Sequence, residues 1–159
     1  PGTTSTMNKA ARQLLEKHDL QPHPEGGWYR ELHRSPLQLK RNDGHQRAAL
    51  TAILFLLCEG ELSRWHRVQQ ADEVWVHCAG ASLTLWSCHP ETLKTERHEL
   101  DGKDPVRVIT AGRWQAAQSN GAFSFVCCCV GPGFDFEDFE LARECPEDQR
   151  PQLPYPELA

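Results

Sequence analysis

The stretch Gly60-Glu61-Leu62-Ser63-Arg64-Trp65-His66-Arg67-Val68-Gln69-Gln70-Ala71-Asp72-Glu73-Val74-Trp75-Val76-His77-Cys78-Ala79-Gly80 holds the residues on which the reading of the whole chain turns. Two strand-like runs, Leu62–Val68 and Glu73–Cys78, flank a polar turn. Successive side chains of a strand point to opposite faces. Regular alternation therefore puts Leu62, Arg64, His66 and Val68 on one face and Ser63, Trp65 and Arg67 on the other. On the second run Glu73, Trp75 and His77 share a face. A hairpin joining the two brings His66 to Glu73, with Trp75 and His77 beside them. An imidazole next to a carboxylate in a partly apolar enclosure suits proton transfer and the binding of polar ligands.

Outward from this hairpin the same texture continues. Strands are expected near Trp28–His33, Leu50–Cys58, Ser82–Ser87, Leu93–Glu99, Val106–Ile109, Arg113–Ala117 and Phe123–Val130, because β-branched and aromatic residues cluster there. Turn residues stand between them, Asn120-Gly121 being the strongest hairpin mark. Asn8 can cap one short helix carrying Ala10, Ala11, Leu14 and Leu15, which ends before Pro22. Many short strands at close intervals read as a sandwich or barrel. The 159 residues suffice for one domain with one core. That domain is expected over residues 7–145, with 146–159 as a polar C-terminal tail. Residues 1–6, ahead of the single methionine Met7, read as a leftover of an expression vector.

Charge and cysteines exclude several classes. A net charge of -5 and a pI near 5.9 leave no basic stripe for a nucleic-acid polymer. No apolar run approaches the roughly 20 residues of a membrane helix, and no secretory signal is seen. Seven cysteines are an odd number, and Cys127 to Cys129 are consecutive, so neighbours point to opposite faces. With no C-x-x-C pair, zinc and a disulfide framework are both disfavoured. Reduced thiols used as small core residues fit a cytoplasmic or nuclear protein that is not secreted.

The intervals between Gly60, His66, Glu73 and Gly80 match the first motif of the cupin superfamily, which the chain resembles. It departs at Val68, where the motif has a second histidine. The second cupin motif resembles Thr110-Ala111-Gly112-Arg113-Trp114-Gln115, with Gln115 at the histidine position. The blocks Pro22-His23-Pro24-Glu25-Gly26-Gly27-Trp28 and Pro132-Gly133-Phe134-Asp135-Phe136-Glu137-Asp138-Phe139-Glu140 are similar to the fifth cupin family over about residues 14 to 141. The resemblance implies a mainly β fold, a double-stranded β-helix or jelly-roll-like barrel with a short N-terminal helix, often paired as a homodimer. Two of the four usual metal ligands are replaced, so no metal and no cofactor are expected, although His77 could turn inward as a substitute.

Two functions stay open. One is a binding module that holds a small ligand, such as a nucleotide or sugar nucleotide, through Glu25, Arg64, His66, Glu73, Trp75, His77 and Gln115. Arg64, read as co-facial with His66, supplies the fork for phosphate oxygens. The other is a metal-independent sugar epimerase or isomerase, with His66 as base, Glu73 orienting it and Tyr29 returning the proton from the other side. A metal-dependent dioxygenase is disfavoured by Val68 and Gln115.

Overall fold

A computed structural model describes residues 6–159, so residues 1–5 of the expected vector leftover lie outside the described residues. The helix α1 spans Lys9–His18. Asn8 caps it, its Oδ1 accepting from the N–H groups of Ala10 at 2.9 Å and Ala11 at 3.2 Å. Thirteen strands follow: β1 Gln21–Pro22, β2 Trp28–Arg34, β3 Gln38–Lys40, β4 Gln46–Ala48, β5 Thr51–Cys58, β6 Leu62–Val68, β7 Asp72–Gly80, β8 Leu83–Cys88, β9 Thr95–Leu100, β10 Val106–Ile109, β11 Trp114–Ser119, β12 Phe123–Gly131 and β13 Phe139–Leu141. All the expected strands are present within a few residues. The four extra ones, β1, β3, β4 and β13, have two or three residues each, too few to show alternation; β1 and β13 form against the longer β2 and β6, and β3 and β4 pair with each other.

The strands form two antiparallel sheets, β1-β2-β5-β12-β7-β10 and β13-β6-β11-β8-β9, with β3 and β4 as a separate hairpin. The two sheets enclose one core. Every second residue of β5, β7 and β12 points inward, so Phe55, Leu57, Trp75, Val126 and Cys128 meet Leu83, Leu85 and Ala117 of the other sheet. This packing closes one end of the barrel. Toward the other end the inward positions change character, from Phe55 to Ile53 and Thr51 on β5 and from Trp75 to Glu73 on β7. A cavity opens there.

Outside, Ala11, Leu14, Leu15 and Leu20 lay α1 and its C-terminal turn over Leu54, Leu56, Cys58 and Phe125. The stretch from Pro146, which reads as a polar tail, packs on the opposite sheet. Leu158 is buried against a cluster containing Trp65, Trp86 and Trp114, and Trp65 Nε1 donates to the Pro154 carbonyl at 2.9 Å. One buried leucine among charges and prolines was too sparse a pattern to announce this docking. All seven cysteines are free.

Candidate functional site

A cavity of about 410 Å³ lies at the open end of the barrel, inside the range of roughly 300–1,000 Å³ usual for small-molecule sites. Its walls include Thr51, Ile53, His66, Val68, Glu73, Cys128 and Val130 from the barrel strands and Tyr29 from β2. Two loops complete it: residues 23–27, which carry His23 and Glu25, and residues 132–138 with β13, which carry Phe134, Asp135, Phe136 and Phe139.

Glu25 is the hub of one side. Its Oε2 accepts from Ser63 Oγ at 2.6 Å and lies 2.9 Å from His66 Nδ1. The loop can approach this closely because Gly26 has φ +111° and a Cβ there would run into the Leu62 carbonyl oxygen. Burial by itself would push the Glu25 carboxyl up. The His66 and His23 imidazoles, with hydrogen bonds from His66 and Ser63, outweigh it and hold Glu25 down at about 2. Burial likewise works against a charged His66, but the Glu25 carboxylate, with Glu73 and the Arg64 carbonyl, raises its pKa. The two form a buried ion pair. His66 Nδ1 sits between Glu25 and the Arg64 carbonyl at 2.6 Å, and Nε2 has no hydrogen-bond partner among the described residues. His23 is different: burial lowers its pKa, and its Nδ1 accepts from the Glu25 N–H at 3.1 Å, as a neutral ring would.

Glu73 stands on the other side. Gln115 Nε2 donates to its Oε1 at 2.9 Å, and Gln115 Oε1 accepts from Trp75 Nε1 at 2.7 Å. The indole thereby dictates which end of the amide meets the carboxyl. Burial, the largest influence, and the nearby Glu25 charge push Glu73 up to about 7, against the opposing pull of His66, Gln115 and Cys128. One carboxyl is thus locked as an anion and the other is poised to exchange its proton at neutral pH.

The structure brings Glu25, His66, Glu73 and Tyr29 into one cavity. Gln115 and Trp75 lie just beneath it, holding Glu73 in place. Arg64 and His77 are elsewhere. In the pairing of β6 with β11, Gln115 opposes His66 and Ala117 opposes Ser63, so Ala116 faces two residues, Arg64 and Trp65. This β-bulge breaks the alternation. Ser63 comes inside with His66, and Arg64 turns outward, its Nη1 donating to the Ala159 carbonyl at 2.8 Å. His77 lies two residues past Trp75 toward the closed end, where its Nε2 contacts the Ala81 carbonyl at 2.8 Å. Sequence reasoning missed His23, Ser63 and Cys128. His23 stands two residues before Glu25, a spacing that could have marked it as a second inward side chain of the same loop.

The residues do not fit a metal ion of the kind cupins often hold. Val68 is apolar and Gln115 is engaged at both ends, which leaves His66 Nε2 and Glu73 as the only donors at the four positions of the motifs. Among the described residues no group of three or more His, Cys, Asp or Glu side chains could hold a metal ion. No helix among them is long and apolar enough to cross a membrane.

Comparison with known proteins adds to this picture. The family described as Cupin superfamily (DUF985) matches residues 12–142. No curated protein matches the chain. A hypothetical protein from Leishmania major superposes with a TM-score of 0.76 at 28% identity, covering 84% of this chain and 86% of the other. A protein from Shewanella oneidensis gives 0.70 at 38% identity, with 81% and 82% covered. The capsular polysaccharide assembling protein CapF from Staphylococcus aureus gives 0.61 at 13% identity, with 77% of this chain but 33% of CapF covered, a likeness of fold alone.

Proposed function

Because the chain belongs to the DUF985 family of the cupin superfamily, we propose that its barrel carries out metal-independent proton transfer on a small sugar-like carbonyl compound, as an isomerase or epimerase. The observation that carries this reading is the pairing of a titratable buried carboxyl, Glu73, with an imidazolium, His66, held by an ionised Glu25 in one cavity. Glu73 in its carboxylate form takes a proton from carbon next to the substrate carbonyl. The C–H electron pair becomes the new C=C bond, and His66 Nε2–H donates to the oxygen that gains charge. The proton then returns from Glu73 to the former carbonyl carbon while the hydroxyl on the first carbon gives its proton to His66, which isomerises the substrate. Alternatively a second donor gives its own proton to the opposite face of the first carbon and is re-protonated from solvent as Glu73 releases the proton it took, which epimerises it. Tyr29, on the β2 wall with His23 edge-on at a centroid distance of 4.5 Å, is the donor for that second face. This gives Glu73 the role of base and makes Glu25, instead of Glu73, the group that orients His66.

A nucleotide or sugar nucleotide finds less support. Its expected phosphate anchor, Arg64, is outside the cavity, and Arg34 on the cavity wall is already paired with Glu31 at 2.6 Å. The test is solvent exchange. A panel of aldoses, ketoses and sugar nucleotides is incubated with the protein in deuterium oxide and followed by proton NMR. Loss of a carbon-bound proton signal that depends on Glu73 supports the reading; no exchange across the panel, with wild type and Glu73→Gln alike, sinks it.

We also infer a homodimer. The outward residues Val74, Val76, Val106, Val108, Cys127 and Cys129 lie on three adjacent strands, and Val106 and Val108 are 44% and 57% exposed. A contiguous apolar face of this kind favours self-association. Multi-angle light scattering distinguishes a dimer from a monomer. The free thiols suit a reducing compartment such as the cytoplasm.

A further inference from the structure

The mouth of the cavity differs in kind from its floor. Phe134, Phe136 and Phe139 stand nearly at right angles to one another, at 84°, 67° and 79°, with centroids 4.9, 5.9 and 5.8 Å apart. All three line the cavity, with Tyr29 on the facing strand. Each pair packs edge to face, and a cation at the open side of the three rings lies within about 6 Å of every centroid. The loop is not free to collapse. Asp138 receives the guanidinium forks of Arg41 and Arg47, at 2.8 to 3.2 Å, and the Phe134 N–H donates to Thr51 Oγ1 at 2.8 Å.

The charges at the cavity point the same way. Glu25 and His66 cancel, and so do Glu31 and Arg34, whose Nη2 is also held by the Phe134 carbonyl at 3.1 Å. Burial lowers the pKa of His23, against the pull of Glu25, whose Oε1 is 3.3 Å from Nδ1, and so favours the neutral ring. What remains is Asp135, with Oδ1 accepting the Glu137 N–H at 2.9 Å, and the carboxyl of Glu73. An anionic ligand would face net negative charge among the lining residues, whereas a cation would offset it.

We propose that the cavity binds a small organic ammonium compound, its charge centred among Phe134, Phe136, Phe139 and Tyr29 and balanced by Asp135. This rests on the proton-transfer reading only for the identity of the site, and it narrows the substrate to an amine-bearing carbonyl compound such as an amino sugar. The chemistry agrees, because an ammonium group near a carbonyl withdraws electrons and acidifies the C–H that Glu73 takes. Each ring face offers the cation an attraction that a neutral group of the same shape does not receive.

The experiment compares choline with its neutral isostere 3,3-dimethylbutan-1-ol, and with inorganic phosphate, by isothermal titration at fixed ionic strength. Choline should bind at least tenfold more tightly than the isostere, and phosphate should not compete. Phe136→Leu, at a ring that is 53% exposed and carries little of the fold, should weaken choline several-fold and leave the isostere unchanged. Asp135→Asn, which keeps an acceptor for the Glu137 N–H, should do the same. Equal affinity for choline and isostere, or tighter binding of phosphate, overturns the proposal. Deuterium exchange on neutral sugars together with equal affinities overturns the ammonium alone; choline selectivity with no exchange on any amine-bearing carbonyl overturns the proton-transfer reading alone.

Discussion

Replacing Glu73 by Gln keeps the shape of the side chain and an acceptor for Gln115 Nε2, but removes the proton that the site exchanges. In the folded protein the carboxyl is pushed up to about 7, against 4.5 for an ordinary glutamate, with burial as the first cause. The native state therefore holds this proton more tightly than the unfolded chain does. Stability present below pH 4.5 is lost as pH rises through 7. At about 1.4 kcal/mol per tenfold in proton affinity, the full difference is roughly 3 kcal/mol. Above pH 7 wild type carries that burden and Glu73→Gln does not. The variant should thus be more stable at pH 8 by up to about 3 kcal/mol, or roughly 6–12 °C in melting temperature for a domain of this size. At pH 5 the gap should fall below about 1 kcal/mol, because the native carboxyl is then neutral. Urea denaturation of both proteins at half-unit steps from pH 5 to 8 measures the difference directly. A variant that is less stable than wild type at pH 8, or equally shifted at every pH, refutes the reasoning: Glu73 would then be an ordinary ionised carboxylate and not a proton carrier.

Four other outcomes are expected. Asp138→Ala strips both guanidinium forks of their shared carboxylate, leaving Arg41 with Asp43 and Arg47 with Glu137; a loss of about 1–3 kcal/mol in urea denaturation should follow. Gly26→Ala forces a Cβ toward the Leu62 carbonyl at a positive φ and should cost about 1–3 kcal/mol. It should also move Glu25 from His66, read by NMR as a His66 titration that shifts to lower pH, whereas an unmoved titration contradicts the hub role of Glu25. Leu158→Ala removes the plug of the tail, costing about 2–5 kcal/mol, and limited proteolysis should then cut within residues 146–159 faster than in wild type. The protein as purified should hold transition metal well below one ion per chain by elemental analysis; one tightly held ion lost on His66→Ala contradicts this.

The sequence alone determined the kind of fold, since β-branched and aromatic bursts separated by turn residues admit little besides an antiparallel barrel. The periodicity of 2 was enough to send Phe55, Trp75, Val126 and Cys128 to one interior and to place Glu73 on the same face as Trp75. The hairpin expected to join His66 to Glu73 does not form: β6 and β7 pair in different sheets, and the two side chains meet in the cavity that the sheets enclose. Tertiary structure decided the rest. Whether Arg64 or Ser63 accompanies His66 depends on one extra residue opposite Ala116, and a bulge arises from how two strands distant in sequence pair, which neither strand encodes by itself. The loop of His23 and Glu25 reaches the barrel interior only because the Leu62 backbone meets a glycine there. Asp138 and the arginines of β4 and its hairpin turn are about ninety residues apart in the chain, and their pairing holds the aromatic loop over the mouth. The proton affinities follow from burial and from charges that only folding assembles: an isolated Glu25 and an isolated Glu73 are the same carboxylic acid, and their separation to about 2 and about 7 belongs to the cavity.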